Sequence, residues 1–121
     1  MLMRSPTLGK IDNLPEVFGK KFALDLFTRG NFSRQFELQV KEKANQGLIH
    51  GPIYLSIGTE FNSAALSLAV ENPLIFGQHR GHSLYLSFGG NPGPLRDELL
   101  GLSTGCSSGV GGSCCIQCKE I

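Results

Sequence analysis

At 121 residues the chain has material for one small domain, and 40% hydrophobic content allows a modest core. A net charge of +1 supplies no basic field for nucleic acid and no polybasic patch for a membrane surface, and no apolar run approaches the length of a bilayer-spanning helix. The four cysteines, Cys106, Cys114, Cys115 and Cys118, crowd the end of the chain, which argues against a disulfide-stapled secreted fold.

Residues 1–18, interrupted by Pro6 and Pro15, read as an extended or poorly ordered arm. They lack the apolar core and small-residue cleavage site of a signal peptide, so a cytoplasmic location is expected, or the mitochondrial matrix in a eukaryote. From about Lys20 to Gly47 the pattern predicts a helix, with Phe32, Phe36, Val40 and Ala44 on its inner side and Gly47 as its stop. Ile53–Ile57 follows as a short apolar piece. Thr59 is placed to cap a second helix over about Glu60–Val70 through its hydroxyl, and Asn72-Pro73 ends it.

Leu74-Ile75-Phe76 is a candidate buried strand, broken by Gly77. The polar cluster Gln78-His79-Arg80-Gly81-His82 then opens another apolar stretch. Strand, glycine break and helix start commonly present polar groups at a sheet edge. Gly89-Gly90-Asn91-Pro92-Gly93-Pro94 is a turn, and Leu95–Leu102 a short helix with Arg96, Asp97 and Glu98 facing outward. The boundaries fall at 1–18 for the arm, 19–104 for the domain and 105–121 for a flexible loop and tail rich in glycine and cysteine.

By residue type alone, Arg80 offers a planar, permanently charged fork for a phosphate, with His79 and His82 as further donors or proton carriers. An ordinary solvated turn explains the same residues. Cys115-x-x-Cys118 with Cys114 and Cys106 is open to a zinc reading or a redox pair, but it lacks a second ligand pair and the strand-and-helix setting of redox motifs.

Three stretches together resemble the alpha subunit of the thiamine-diphosphate-dependent first component of 2-oxo acid dehydrogenase complexes, of the pyruvate, branched-chain or acetoin type. They are Phe32-Ser33-Arg34-Gln35-Phe36-Glu37 with Gln46-Gly47; Tyr54-Leu55-Ser56-Ile57-Gly58-Thr59-Glu60; and Ile75–His82 running on through Glu98-Leu99-Leu100-Gly101 to the Gly105–Ser113 loop. The resemblance implies an α/β fold, the amino-terminal portion of a thiamine-diphosphate-binding domain, mainly helical with one or two short parallel strands. It implies oxidative decarboxylation of a 2-oxo acid in association with a beta subunit. Residue by residue it places Gln78, His79 and Arg80 on the cofactor diphosphate, His82 at the active-site entrance as a catalytic group, and Tyr54 near the substrate; Glu60 becomes a helix-capping residue. His79 departs from the family's usual tyrosine. The family's Gly-Asp-Gly magnesium motif does not occur in this sequence, so no metal ligand is assigned and the chain by itself is expected to be inactive. The alternatives are a non-catalytic fragment that depends on a partner for folding, and a small zinc module built on the cysteines.

Overall fold

A computed structural model describes residues 14–71 and 73–118. Among these, five α-helices and one 3-10 turn follow in the order α1 (Leu14–Phe18), α2 (Lys20–Asn45), α3 (Glu60–Ala69), α4 (His82–Ser87), α5 (Pro92–Leu99) and Gly112–Cys114. Helix α2 is the spine. Helices α3 and α4 pack against it and against each other, α1 folds onto its start, and α5 contacts the 3-10 turn.

The last part of the expected arm, Leu14–Phe18, is helical rather than extended, while residues 1–13 lie outside the described residues. Proline is compatible with a helix in its first turn, where a missing N–H costs nothing, and Pro15 stands there. Three helices end in the same way. Gly47, Gly89 and Gly101 adopt positive φ, and each helix closes with paired backbone bonds such as Gly47 N–H to Ala44 O and Leu48 N–H to Lys43 O. A side chain with a Cβ resists that conformation. The stop expected at Gly47 is present. Helix α3 ends at Ala69, and the Asn72 half of its expected stop lies outside the described residues.

The buried face of α2 differs from the one its apolar spacing suggests. Gly30, Ser33, Glu37 and Val40 are buried, whereas Phe32 is half exposed. The helix is turned so that a carboxylate and a hydroxyl face inward, because the neighbouring elements supply hydrogen-bonding groups for Glu37. Gly30 lies within α2, where a Cβ would meet the Phe61 ring of α3 at 2.5 Å. The close crossing of α2 and α3 depends on that missing side chain.

No strand is present among the described residues: Leu74–Phe76, the expected strand, is irregular, as is the apolar piece Ile53–Ile57. Neither has a second strand beside it to complete a ladder. Leu74 and Phe76 are 86% and 89% exposed, so the segment read as a buried strand lies open on one side. The observed class is therefore mainly helical. The core is unusual in content. Among the described residues five apolar side chains are fully buried (Val40, Ala64, Leu86, Leu95 and Leu99), against nine polar ones. Hydrogen bonds must then satisfy what the hydrophobic effect does not. One such brace is Arg29 of α2, whose Nη1 donates to Ser67 Oγ of α3 at 2.8 Å and to the Ser87 carbonyl of α4 at 3.1 Å.

Candidate functional site

Glu37, on the inner face of α2, is the hub. Its Oε1 accepts the Ser56 backbone N–H at 3.0 Å, and both of its oxygens face His82 Nδ1, at 3.0 and 3.2 Å. His82 opens α4 and has no exposed surface. Across the ring, His82 Nε2 lies 2.9 Å from Ser113 Oγ, which also accepts the Tyr54 backbone N–H at 3.3 Å. A carboxylate can only accept, so Nδ1 carries a proton and donates it to Glu37. In the neutral ring Nε2 then accepts from the Ser113 hydroxyl. The result is a buried chain of carboxylate, imidazole and hydroxyl.

Ser56 extends the network to the polar turn. Its hydroxyl donates to the Arg80 carbonyl at 3.1 Å and accepts the Ser83 N–H at 3.3 Å. The turn carrying Gln78, His79 and Arg80 is thereby fixed to the segment before α3. Ser63 Oγ and Ser83 Oγ, 2.9 Å apart, add a tie between α3 and α4.

Thr59 precedes α3 but does not cap it as expected. Its hydroxyl donates back to the Ser56 carbonyl at 2.9 Å. Glu60 reaches back to the Gly58 N–H at 2.8 Å and forms a two-pronged pair with Arg34, at 2.5 and 3.1 Å. That pair holds the Glu60 carboxyl below the usual carboxylate range, against the opposing pull of burial. Glu60 thus both receives an N–H at the helix start and anchors α3 to α2.

Glu98, expected to face outward from α5, is buried instead. Its Oε2 accepts the N–H groups of Ser107 and Gly109, at 2.7 and 2.8 Å; its Oε1 accepts those of Gly111 and Gly112, at 2.7 and 3.1 Å. Burial alone would raise its pKa, yet the four donors hold it below the ordinary range. Arg96 and Asp97 remain toward the surface, where they pair with each other, and Thr104 donates to Asp97 at 2.6 Å. The Gly-rich stretch after α5 is wrapped around Glu98, and this delivers Ser113 to His82. Glycine is needed at Gly109, which has φ +75° and where a Cβ would lie 2.4 Å from the Leu102 carbonyl oxygen. Gly109→Ala is expected to destabilise the protein by about 2–3 kcal/mol, through strained φ and a backbone clash, measured by urea unfolding.

A cavity of about 540 Å³ lies beside this network. It is lined by Leu74, Phe76, Leu84 and Phe88 on its apolar side, by Gln78 and His79 on its polar side, and by Ser113 and the segment after it. The residues assigned from the motifs are distributed unequally around it. Gln78 and His79 line it. Arg80 is exposed and does not line it, and its guanidinium bonds to no other described residue. Tyr54 stacks on His79 with ring centres 4.3 Å apart. His82 reaches the cavity only through Ser113. Glu37 and Ser113 were not singled out from the sequence, although both stand inside the quoted motifs.

By residue type the guanidinium, amide and imidazole of the 78–80 turn suit the diphosphate of the implied cofactor, but Gln78 and His79 face the cavity while the Arg80 guanidinium lies outside it. The magnesium that accompanies that cofactor has no counterpart: among the described residues no group of three or more His, Cys, Asp or Glu is placed to hold a metal ion. The same holds for a zinc site at the cysteines. Cys106 is half-buried, Cys114, Cys115 and Cys118 are exposed, and all four are unpaired. Burial pushes the Cys106 thiol up, and the nearby Glu98 charge adds to the shift. Among the described residues no helix is long and apolar enough to cross a membrane.

No family model matches the chain, and no solved structure does. Curated proteins do. The chain is 31% identical over 98 residues to the pyruvate dehydrogenase E1 component subunit alpha-1, mitochondrial, of Arabidopsis thaliana, covering 80% of this chain and 25% of that protein. It is 34% identical over 98 residues to the mitochondrial subunit alpha of Dictyostelium discoideum, with 80% and 26% covered. It is 32% identical over 109 residues to the subunit alpha of Zymomonas mobilis, with 84% and 30% covered. The chain spans between a quarter and a third of the length of these relatives. The resemblance read from the motifs thus rests on a measured likeness: across about four fifths of its residues, this chain is similar to the alpha subunit of the E1 component of pyruvate dehydrogenase.

Proposed function

We propose that the chain acts as part of an alpha-type subunit of a thiamine-diphosphate-dependent dehydrogenase that oxidatively decarboxylates a 2-oxo acid, and that turnover requires a beta subunit. One observation carries this reading. The separate stretches that bear the resemblance meet in a single hydrogen-bond network, with Glu37 from the first, Tyr54 and Ser56 from the second, and Arg80, His82 and Ser113 from the third. Chance likeness in scattered letters gives no reason for those stretches to converge.

In this reading Arg80 neutralises the diphosphate with help from Gln78 and His79, and the network fixes the backbone that presents them. Tyr54, stacked on His79, faces the substrate side. His82 acts through Ser113, since its ring is enclosed. When bound, the cofactor supplies the carbanion stabilisation that decarboxylation needs, and the protein supplies placement and charge.

Calorimetric titration with thiamine diphosphate, and separately with inorganic pyrophosphate, tests the assignment. Both are expected to bind, and Arg80→Ala is expected to weaken both by about ten- to a hundredfold, the worth of a charge-assisted contact. The isolated chain is expected to release no detectable carbon dioxide from pyruvate. Failure of either ligand to bind the folded chain, or equal binding by the Arg80→Ala variant, would remove the diphosphate role.

A further inference from the structure

The buried Glu37–His82–Ser113 chain has the spacing and polarity of a nucleophile, its general base and the group that orients that base. Ser113 Oγ lies within hydrogen-bond reach of His82 Nε2, and His82 Nδ1 is held by both oxygens of Glu37. Glu37 is itself kept in place by the Ser56 N–H. The base therefore has one tautomer and one orientation, the two conditions for taking a proton from a serine hydroxyl. His82 and Glu37 are shut away from water, and Ser113, only 4% exposed, keeps its contact with the outside through the cavity it lines. That cavity is lined by Leu84 and Phe88, with Leu74 and Phe76 at its open rim, a surface suited to a short apolar acyl chain, and Gln78 adds an amide donor for a carbonyl oxygen.

We propose that Ser113 is an activated nucleophile that accepts an acyl group from esters whose short apolar acyl chain sits in this cavity. Oγ forms a bond to the carbonyl carbon as its proton passes to His82 Nε2. The bond from that carbon to the leaving alkoxide breaks, and the alkoxide takes the proton from His82. Water then attacks the acyl-serine, giving a proton to His82, which returns it to Ser113 as the carboxylic acid leaves. Glu37 is a positioning residue throughout. The activity needs neither diphosphate nor metal, so it stands or falls apart from the cofactor assignment.

The test uses the whole chain. A fluorophosphonate probe followed by peptide mass mapping is expected to modify Ser113 ahead of the exposed Ser103 and Ser108. p-Nitrophenyl butyrate is expected to be hydrolysed, with the rate falling to background in Ser113→Ala. Glu37→Gln is expected to lower kcat roughly tenfold or more with KM unchanged, and His82→Gln to lower it roughly a hundredfold or more. Circular dichroism accompanies each buried variant, and the wild-type mapping decides the matter for any that loses its fold. A folded wild type with no phosphonylation at Ser113 overturns the proposal. So does ester hydrolysis that survives in Ser113→Ala but is lost when Cys114, Cys115 and Cys118 are alkylated, which would assign the activity to the thiols.

Discussion

Glu98→Ala is expected to release the Gly-rich loop and to cost about 3–5 kcal/mol, a large share of the stability of a domain this size. The carboxylate is the common acceptor for four backbone N–H groups, and alanine leaves them all without a partner. Water reaches the outer part of the loop and recovers some of the loss, so the effect falls below the sum of four charge-assisted bonds. Glu98→Gln keeps one acceptor oxygen but turns an amide N–H₂ toward two donors, and about 1–3 kcal/mol is expected. Urea unfolding gives both values.

The pH dependence follows from the same geometry. The Glu98 and Glu60 carboxyls are held below their ordinary range in the folded state. Their contribution is fully present above the ordinary carboxylate range. It fades as pH falls through that range and is gone below their folded values. The wild type should lose stability on acidification more steeply than Glu98→Ala, which has less to lose. Parallel acid transitions in the two proteins would contradict the role given to this residue.

The second large effect is expected at Glu37. Glu37→Ala removes the partner of the His82 ring and of the Ser56 N–H at once, inside a site closed to water. Breaking a buried charge-assisted pair from one side costs about 3–5 kcal/mol. The damage should spread beyond α2, because Ser56 also holds the Arg80 carbonyl and the start of α4. Amide hydrogen exchange in Glu37→Ala is expected to rise first in Ser83–Ser87 and the 53–58 segment. A variant with wild-type protection there would show that the hub is dispensable.

Much of this was legible in the sequence, but unevenly. The helix at 20–47 and its stop at Gly47 follow from apolar spacing and from the one residue that accepts positive φ without strain. The helix after Thr59 is present, although the hydroxyl cap from which it was read does not form. The buried strand expected at Leu74–Phe76 was misread, because a run of three apolar residues becomes a strand only beside another strand, and there is none among the described residues. The inner face of α2 was misread because spacing rules count apolar residues, whereas this helix buries Ser33 and Glu37. A buried carboxylate is legible only once its donors are known; those of Glu37 lie 19 and 45 residues further along the chain, and those of Glu98 lie 9–14 residues further. For the candidate site, the turn at Gln78–His82 was found from residue type. Ser113 was quoted in a motif without a role, since nothing local shows that a loop serine will meet a histidine 31 residues earlier.

The open segment at Leu74 and Phe76 bears on how the molecule behaves in concentrated solution. With a net charge of only +1, copies of the chain repel one another weakly, so colloidal behaviour is governed by whatever sticky surface they present. Two large apolar side chains on an irregular stretch of backbone with no neighbouring strand are such a surface, of the sort that invites edge-to-edge pairing. Because Leu74 and Phe76 also edge the cavity that Ser113 lines, a single charged replacement at Leu74 would change both how copies associate and what the cavity admits, while leaving the helices as they are.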